Sequence, residues 1–98
     1  MATDMRELIR ARRDEILRVA ADHGARNVRL FGSAARGEAR EDSDIDLLVD
    51  LQPGHGLLSL AALGVSLERM LGRKVDVLTE RGLRERIRPR VLADAVAL

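Results

Sequence analysis

The sequence predicts an α/β domain in which helices cover a small β-sheet. Segments with apolar residues at helical spacing alternate with short segments rich in β-branched residues, a pattern typical of helices packed on a sheet. The 98 residues are 46% hydrophobic and 34% charged, a composition that allows a buried core. This length fits one compact domain, so we expect residues 1–98 to form a single domain.

The N-terminal segment is predicted to be one helix followed by a strand. Asp4 stands three residues before Glu7, an acidic variant of the capping box that begins a helix. Apolar residues recur at helical spacing up to Ala20. Gly24 can adopt the left-handed backbone conformation that commonly ends a helix, so we expect the helix to end before it. Residues 27–31 then form a short apolar segment that we predict to be a strand.

The middle of the chain is predicted to form a strand, a helix and a second strand. Residues 44–51 alternate with period two, so one face carries Ile45, Leu47, Val49 and Leu51 and the other carries Asp44, Asp46, Leu48 and Asp50. An apolar helical stripe runs from Leu60 to Leu71 before Gly72, and residues 74–79 are rich in β-branched residues. Three leucines near the start of this helix are interpreted as core residues: Leu57, Leu58 and Leu60.

From Leu83 to Val96 the chain is again predicted to be helical. Pro89 must kink or restart this helix, because proline lacks the backbone N–H and clashes with the preceding turn. Five arginines make the region basic and predict either a solvated helix face or a docking surface for an acidic partner or RNA: Arg81, Arg84, Arg86, Arg88 and Arg90.

The composition excludes several classes of function. The chain has no cysteine, so it has no disulfide, no cysteine zinc site and no thiol nucleophile. Its net charge is +1 and Phe31 is its only aromatic residue, so we expect no direct nucleic-acid binding by base stacking. No apolar run approaches the ~20 residues of a membrane span, and the charged N-terminus lacks a signal-peptide core. We therefore expect a cytoplasmic protein without a membrane partner.

Three aspartates are the strongest candidates for chemistry. Asp44 and Asp46 lie two residues apart on one strand, so both carboxylates project from the same face. Asp76 lies on another strand, and the three anions converge if the two strands are neighbours. Such a cluster either raises a pKa or binds a hard cation, Mg²⁺ or Mn²⁺. An Asp-x-Asp pair alone also fits a solvated strand edge, which is our interpretation of Asp50.

The residues after the first strand suggest a phosphate site. Gly32 allows close approach of a ligand to the backbone, and Ser33 adds a hydroxyl and an N–H at a predicted helix N-terminus. Arg36 can supply a planar charged fork to a phosphate. The alternatives are an ordinary turn capped by serine and a solvated surface arginine. His55 lies in a Pro-Gly-His-Gly loop, where it either contacts substrate or has no role.

The ordered motifs resemble a known family. The chain reads Phe31-Gly32-Ser33-Ala34-Ala35-Arg36-Gly37 and then Ser43-Asp44-Ile45-Asp46-Leu47, with ten residues between Ser33 and Asp44. This resembles the Gly-Ser and Asp-x-Asp signature of the nucleotidyltransferase superfamily that includes DNA polymerase beta. It resembles more narrowly the minimal nucleotidyltransferases, which are commonly antitoxin partners of HEPN-domain toxins. The resemblance continues through 71–77 and to Leu98, and it implies a mixed sheet of three or four strands flanked by about four helices.

The resemblance also implies a role for each matched residue. Gly32 and Ser33 would hold a nucleoside triphosphate, and Arg36 would contact a phosphate. The metal ligands, for two Mg²⁺ ions or Mn²⁺, and the catalytic residues would be Asp44, Asp46 and Asp76. Asp76 would also help to deprotonate the acceptor hydroxyl. Ala34 departs from relatives that often carry a polar or basic residue at this position.

These expectations combine into a metal-dependent enzyme that transfers a nucleoside monophosphate, above all AMP from ATP, to a hydroxyl of a partner protein. The resemblance makes a HEPN-type ribonuclease toxin the expected partner. A non-catalytic antitoxin that occludes the toxin is one alternative. Transfer to a small molecule bound by a separate subunit is another. Because the chain has no tyrosine, a tyrosyl acceptor would have to come from another molecule.

Overall fold

The computed structural model describes residues 5–40 and 42–98. Its helices and strands alternate much as predicted, which confirms the α/β class. The helices are α1 (Met5–Ala11), α2 (Arg13–Asp22), α3 (Gly32–Ala35), α4 (Leu57–Leu71) and α5 (Arg88–Asp94). The strands are β1 (Ala25–Phe31), β2 (Ile45–Leu51), β3 (Val75–Leu78) and β4 (Val96–Ala97), and a 3₁₀ helix spans Glu80–Gly82.

The described residues form a mixed four-stranded sheet in the order β3-β2-β1-β4. Strand β1 is antiparallel to both β2 and β4, whereas β2 and β3 are parallel. A parallel pair needs a crossover connection, which α4 provides between β2 and β3. The register pairs Asp46 of β2 with Phe31 on one side and with Asp76 on the other.

The two faces of the sheet carry apolar clusters of different size. The larger cluster packs Ile45, Leu47 and Val49, each at most 1% exposed, against helices that include α2 and α4. On the opposite face a smaller cluster contains four buried residues: Phe31, Leu48, Leu83 and Val91. The period-two pattern of β2 therefore sorts its side chains between the faces as the sequence predicts.

The N-terminal helix is kinked, which the sequence did not predict. Arg12 separates α1 from α2 with φ −105° and ψ 13°, although its N–H still donates to Leu8 and its carbonyl accepts from Ile16. The Arg12 guanidinium donates to the carbonyl of Met70 at 3.1 Å, so the kink accompanies contact with the end of α4. The predicted cap at Asp4 lies outside the described residues.

The prediction that the chain is helical from Leu83 to Val96 is wrong outside α5, whereas the predicted restart of the helix at Pro89 is confirmed. The segment begins in extended backbone at Leu83, and α5 spans only Arg88–Asp94, with Pro89 in its first turn. Proline fits there because the first N–H groups of a helix have no intrahelical partner. Val96 and Ala97 form β4 and pair with β1. The arginines of this region therefore do not share one helix face.

The interpretation of the first leucines of α4 as core is wrong for two of the three. Leu57 and Leu58 are 84% and 88% exposed, and the buried residues of α4 begin only at Leu63. Leu60 packs against the larger cluster. Within the part of the chain that the structure describes, no helix has the length and apolarity to cross a membrane.

Candidate active site

Strands β2 and β3 hold two of the predicted aspartates side by side. Asp46 and Asp76 are register partners on these parallel strands, which lie about 4.8 Å apart as neighbouring strands do. Asp44 immediately precedes β2, and its Oδ2 lies 3.8 Å from Nζ of Lys74. The three aspartates thus lie near the end of the sheet at which β2 and β3 begin. The sequence predicted this convergence on the condition that the two strands are neighbours.

The environment of Asp46 disfavours its charge. Burial is the largest cause, followed by the negative charges of Asp76 and Asp44, and together they raise the pKa of Asp46 to about 6. The positive charge of Arg36 acts in the opposite direction. A carboxylate in this position is stabilised by a proton or by a bound cation, since either one neutralises the charge that its neighbours repel.

Gly32 lies directly against Asp46. Its φ of +74° is in the left-handed region, and a Cβ at this position would collide with Oδ2 of Asp46. Glycine is therefore required for two reasons, the backbone conformation and the space. Ser33 follows in the first turn of α3, and its hydroxyl makes no hydrogen bond to the residues described in the structure.

Arg36 lies beside the aspartates but is engaged in other contacts. Its Nη1 donates to Oδ2 of Asp94 at 2.7 Å, and its Nε donates to Oε2 of Glu38 at 3.1 Å. The pair with Asp94 connects the end of α3 to α5, whereas the pair with Glu38 is local. A phosphate bound by Arg36 would have to replace one of these carboxylates.

The donor set fits a hard divalent cation by its chemistry. Carboxylate oxygens are the ligands that Mg²⁺ and Mn²⁺ prefer, and the raised pKa of Asp46 shows that the cluster favours added positive charge. Across residues 5–40 and 42–98, however, no three His, Cys, Asp or Glu side chains have the arrangement of a formed metal site. The backbone places the aspartates, and their side chains would have to turn toward a shared ion.

A cleft of about 670 Å³ opens beside Asp46 and Asp76. We call it the α4–β3 cleft, because one side is formed by α4, including Leu57, Ala61 and Val65, and the other by β3 and the residues that follow it. Sequence reasoning did not identify this cleft. The available signal was the apolar spacing of residues 57, 61 and 65 on a helix whose core stripe lies elsewhere.

The opposite end of the same sheet face carries an ion-pair network. Nη2 of Arg29 donates to Oδ1 of Asp50 at 3.1 Å, and Nη1 donates to Oε1 of Glu80 at 3.0 Å. Asp50 is therefore paired rather than simply solvated at a strand end. His55 lines a separate cavity with Asp50 and Glu80, and its ring hydrogen-bonds to Ser59. The structure therefore does not bring His55 to the three candidate site aspartates.

Comparison with known proteins identifies the family to which this arrangement belongs. Residues 13–98 match the nucleotidyltransferase domain. The chain belongs to this family and is a nucleotidyltransferase. It is 42% identical over 82 residues to a "putative protein adenylyltransferase" of Methanocaldococcus jannaschii, a match that covers 84% of this chain and 88% of that one. It is also 42% identical over 73 residues to the protein adenylyltransferase MntA of Thermococcus cleftensis, with 74% of each chain covered.

Solved structures share the fold. A "putative minimal nucleotidyltransferase" superposes on the nucleotidyltransferase with a TM-score of 0.84 and 54% identity, covering 95% of each chain. A toxin–antitoxin structure with AMP-PNP superposes with a TM-score of 0.74 over 86% of this chain and 69% of that one. The second likeness, at 22% identity, shows the fold alone. The resemblance to minimal nucleotidyltransferases is thus confirmed.

Proposed function

We propose that this nucleotidyltransferase moves AMP from ATP to a hydroxyl of a partner protein and acts as the antitoxin of a HEPN-type ribonuclease toxin. The observation that carries the proposal is the register pair Asp46 and Asp76 beside Gly32. The relatives named as protein adenylyltransferases support a protein acceptor. The toxin–antitoxin structure with AMP-PNP, which has the same fold, supports both an adenine nucleotide and a toxin partner.

In this proposal the three aspartates hold two divalent cations, Mg²⁺ or alternatively Mn²⁺. Asp44 and Asp46 would contribute to both sites and Asp76 to one. When bound, the cations neutralise negative charge on the triphosphate. Without them, Asp46 is disfavoured as an anion by burial and by its two neighbours, so the site is suited to positive charge.

Gly32 and Ser33 would hold the triphosphate. Gly32 allows the backbone at the start of α3 to lie directly against the Asp46 carboxylate, so a phosphate near this backbone would also be near the cations that Asp46 holds. Ser33 offers a hydroxyl that is free of other described partners. Arg36 would contact a phosphate once its ion pair with Asp94 or with Glu38 is broken.

The transfer itself needs positioning and charge stabilisation rather than a covalent enzyme intermediate. The acceptor oxygen forms a bond to the α-phosphorus of ATP while the bond from that phosphorus to the bridging oxygen breaks. Pyrophosphate leaves, and the proton of the acceptor hydroxyl passes to the carboxylate of Asp76. Asp76 is suited to this role because it lies on the cleft side of Asp46.

The test uses ATP labelled in the α-phosphate, Mg²⁺ and the purified partner toxin, sought first in the gene beside this one. We expect label on the toxin with α-labelled but not with γ-labelled ATP, which separates adenylylation from phosphorylation. Replacing Asp44→Asn together with Asp46→Asn should lower transfer by about a hundredfold or more. Asp50→Asn is the matched control, because Asp50 lies on the same strand but pairs with Arg29. Undiminished transfer by the double variant would contradict the proposal.

A second candidate is an antitoxin that acts by occlusion alone. The exposed apolar residues favour it, since Leu57, Leu58 and Val96 offer surface to a partner. Growth rescue separates the two functions. Rescue of toxin-expressing cells by a variant lacking all three aspartates would support occlusion, whereas loss of rescue with retained toxin binding would support transfer.

A further inference from the structure

The α4–β3 cleft exposes backbone groups that can pair with another strand. Within the described residues β3 lies at the edge of the sheet. The N–H of Ile45 donates to the carbonyl of Lys74 at 2.9 Å, so residues 74 and 76 turn their polar backbone groups toward β2. Residues 75 and 77 consequently turn theirs away from the sheet.

These outward groups differ in how they are satisfied. The Val75 N–H donates to Oε2 of Glu68 at 3.1 Å, which covers that end of the edge. The Val77 N–H has no hydrogen-bond partner in the described part of the chain, and Val77 lines the cleft. An unpaired N–H and C=O on an edge strand form a template for an added strand.

The alternation of side chains relates this edge to the active site. Asp76 projects to the same face as Asp46, whereas Val75 and Val77 contribute to the larger apolar cluster on the other face. A strand paired with β3 would place one side chain opposite Asp76, with Cβ atoms about 5 Å apart. Its two flanking residues would point to the other face, beside the apolar residues of α4.

We propose that the acceptor hydroxyl is presented on an extended segment of the partner protein that adds to the edge of β3. The hydroxyl residue lies opposite Asp76, and apolar residues on either side of it contact Leu57, Ala61 and Val65 of α4. This inference rests on the proposed function, because it assigns the acceptor of the same site. It adds the conformation and the local sequence pattern of that acceptor.

The charge of the cleft favours a polypeptide over a nucleic acid. Three carboxylates line it, those of Asp46, Glu68 and Asp76, and the described lining contains no Lys, Arg or His. Because the two aspartates are assigned to the cations, the charge of Glu68 and the absence of a basic side chain in this lining disfavour a nucleic-acid backbone or an acidic peptide but not a neutral or basic segment. The apolar side of the cleft, where Leu57 is 84% exposed, is suited to the flanking apolar residues.

One experiment removes the outward N–H with little change elsewhere. Proline is tolerated on edge strands, and Val77→Pro deletes an N–H that faces away from β2. Val77→Ala keeps the N–H and reports the effect of losing the side chain. The probe is a pool of synthetic nonapeptides with a central Tyr, Ser or Thr, flanking Val or Leu residues and terminal Lys residues, incubated with α-labelled ATP and Mg²⁺.

We expect the wild type to label the pool and Val77→Pro to label it about fivefold to tenfold less than Val77→Ala, with unchanged affinity for Mg·ATP. N-methylation of the residue beside the hydroxyl residue should lower labelling similarly, because it blocks pairing with Val77. If Val77→Pro does not fold, as judged by circular dichroism, Val65→Glu in the cleft replaces it. Ala62→Glu, on the exposed side of α4 outside the cleft lining, is then the control.

The outcomes separate the inference from the function on which it rests. Equal labelling by Val77→Pro and Val77→Ala, or full labelling of the N-methylated pool, would overturn strand addition. So would labelling of the partner toxin without any labelling of the pool, in which case the proposed function stands. A wild-type dimer that Val77→Pro converts to monomer would also overturn it, because the edge would then serve a second copy of this chain. Absence of transfer to both toxin and pool would refute the proposed function and the inference with it.

Discussion

The two faces of the sheet differ in what covers them. On one face Ile45, Leu47 and Val49 are sealed under α2 and α4 in the larger apolar cluster. On the other face the smaller cluster lies at the middle of β2. Asp46 and Asp76 lie on this same face, near the start of their strands, beside the α4–β3 cleft. The same strand thus contributes its odd-numbered residues to stability and one of its even-numbered residues to the candidate site.

This division separates the requirements of stability from those of function. A buried carboxylate that repels its neighbours is unfavourable for folding, and Asp46 is partly buried with a raised pKa. The larger cluster on the other face offsets this cost, which allows the site to keep an arrangement suited to a cation. Natural proteins commonly retain such locally unfavourable arrangements at functional sites.

Leucine truncations on the two faces measure this difference most directly. Leu67 is 0% exposed in the larger cluster, and Leu83 is 4% exposed in the smaller one. We expect Leu67→Ala to lower the free energy of unfolding by about 3–5 kcal/mol and Leu83→Ala by about 2–3 kcal/mol, since the loop around Leu83 can collapse more easily. Urea unfolding followed by circular dichroism provides both values. Equal losses would show that the two clusters contribute alike.

Alanine at two left-handed glycines separates backbone strain from crowding at the site. Gly72 ends α4 with φ +68° and nothing within 4 Å of an added Cβ, whereas Gly32 lies against Asp46. We expect Gly72→Ala to cost about 1 kcal/mol and to leave transfer intact. Gly32→Ala should cost more and also lower transfer about tenfold, because the methyl group displaces the carboxylate. Thermal unfolding and the labelling assay test both. If the two variants had the same effects, Gly32 would be needed only for its left-handed backbone conformation and not for the space beside Asp46.

The pH dependence of stability tests the environment of Asp46 in the metal-free protein. The folded-state pKa of Asp46, about 6, lies above the ordinary value of an aspartate, so the folded state holds this proton more tightly. Stability therefore decreases as pH rises from about 4 to above 6, by about 1 kcal/mol after allowance for solvent screening of the partly exposed carboxylate. In EDTA, Asp46→Asn should be more stable than the wild type at pH 7.5 and lose this advantage toward pH 4. A constant difference across that range would contradict the raised pKa.

The ion pairs at the far end of the site face should contribute the least. Arg29 is 14% exposed and pairs with Asp50 and Glu80, whereas Arg13 is 49% exposed and pairs with Asp14. We expect Arg29→Gln to lower stability by about 1 kcal/mol and Arg13→Gln by less than about 0.5 kcal/mol, with transfer unchanged in both. Thermal unfolding at low and high salt would compare them. A larger effect at Arg13 would reverse this ranking.

The sequence alone determined the class of fold, and it predicted the candidate site residues. The period-two pattern of β2 assigned its side chains to the correct faces, because alternation in a strand is a local property. Motif order and spacing indicated the family, and residues 13–98 match it. The roles of the individual site residues stay predictions until the variants are measured.

Only the tertiary structure decided which distant residues meet. The pairing of Asp46 with Asp76 depends on the register of two strands separated by α4, and no local pattern contains that register. The strand at Val96 and Ala97 was missed because two residues show no periodicity, and they are extended through pairing with β1. The kink at Arg12 arises beside a contact with Met70, and the α4–β3 cleft arises from packing a helix on an edge strand. These features depend on contacts between residues far apart in the chain, which the spacing of residues within one segment cannot specify.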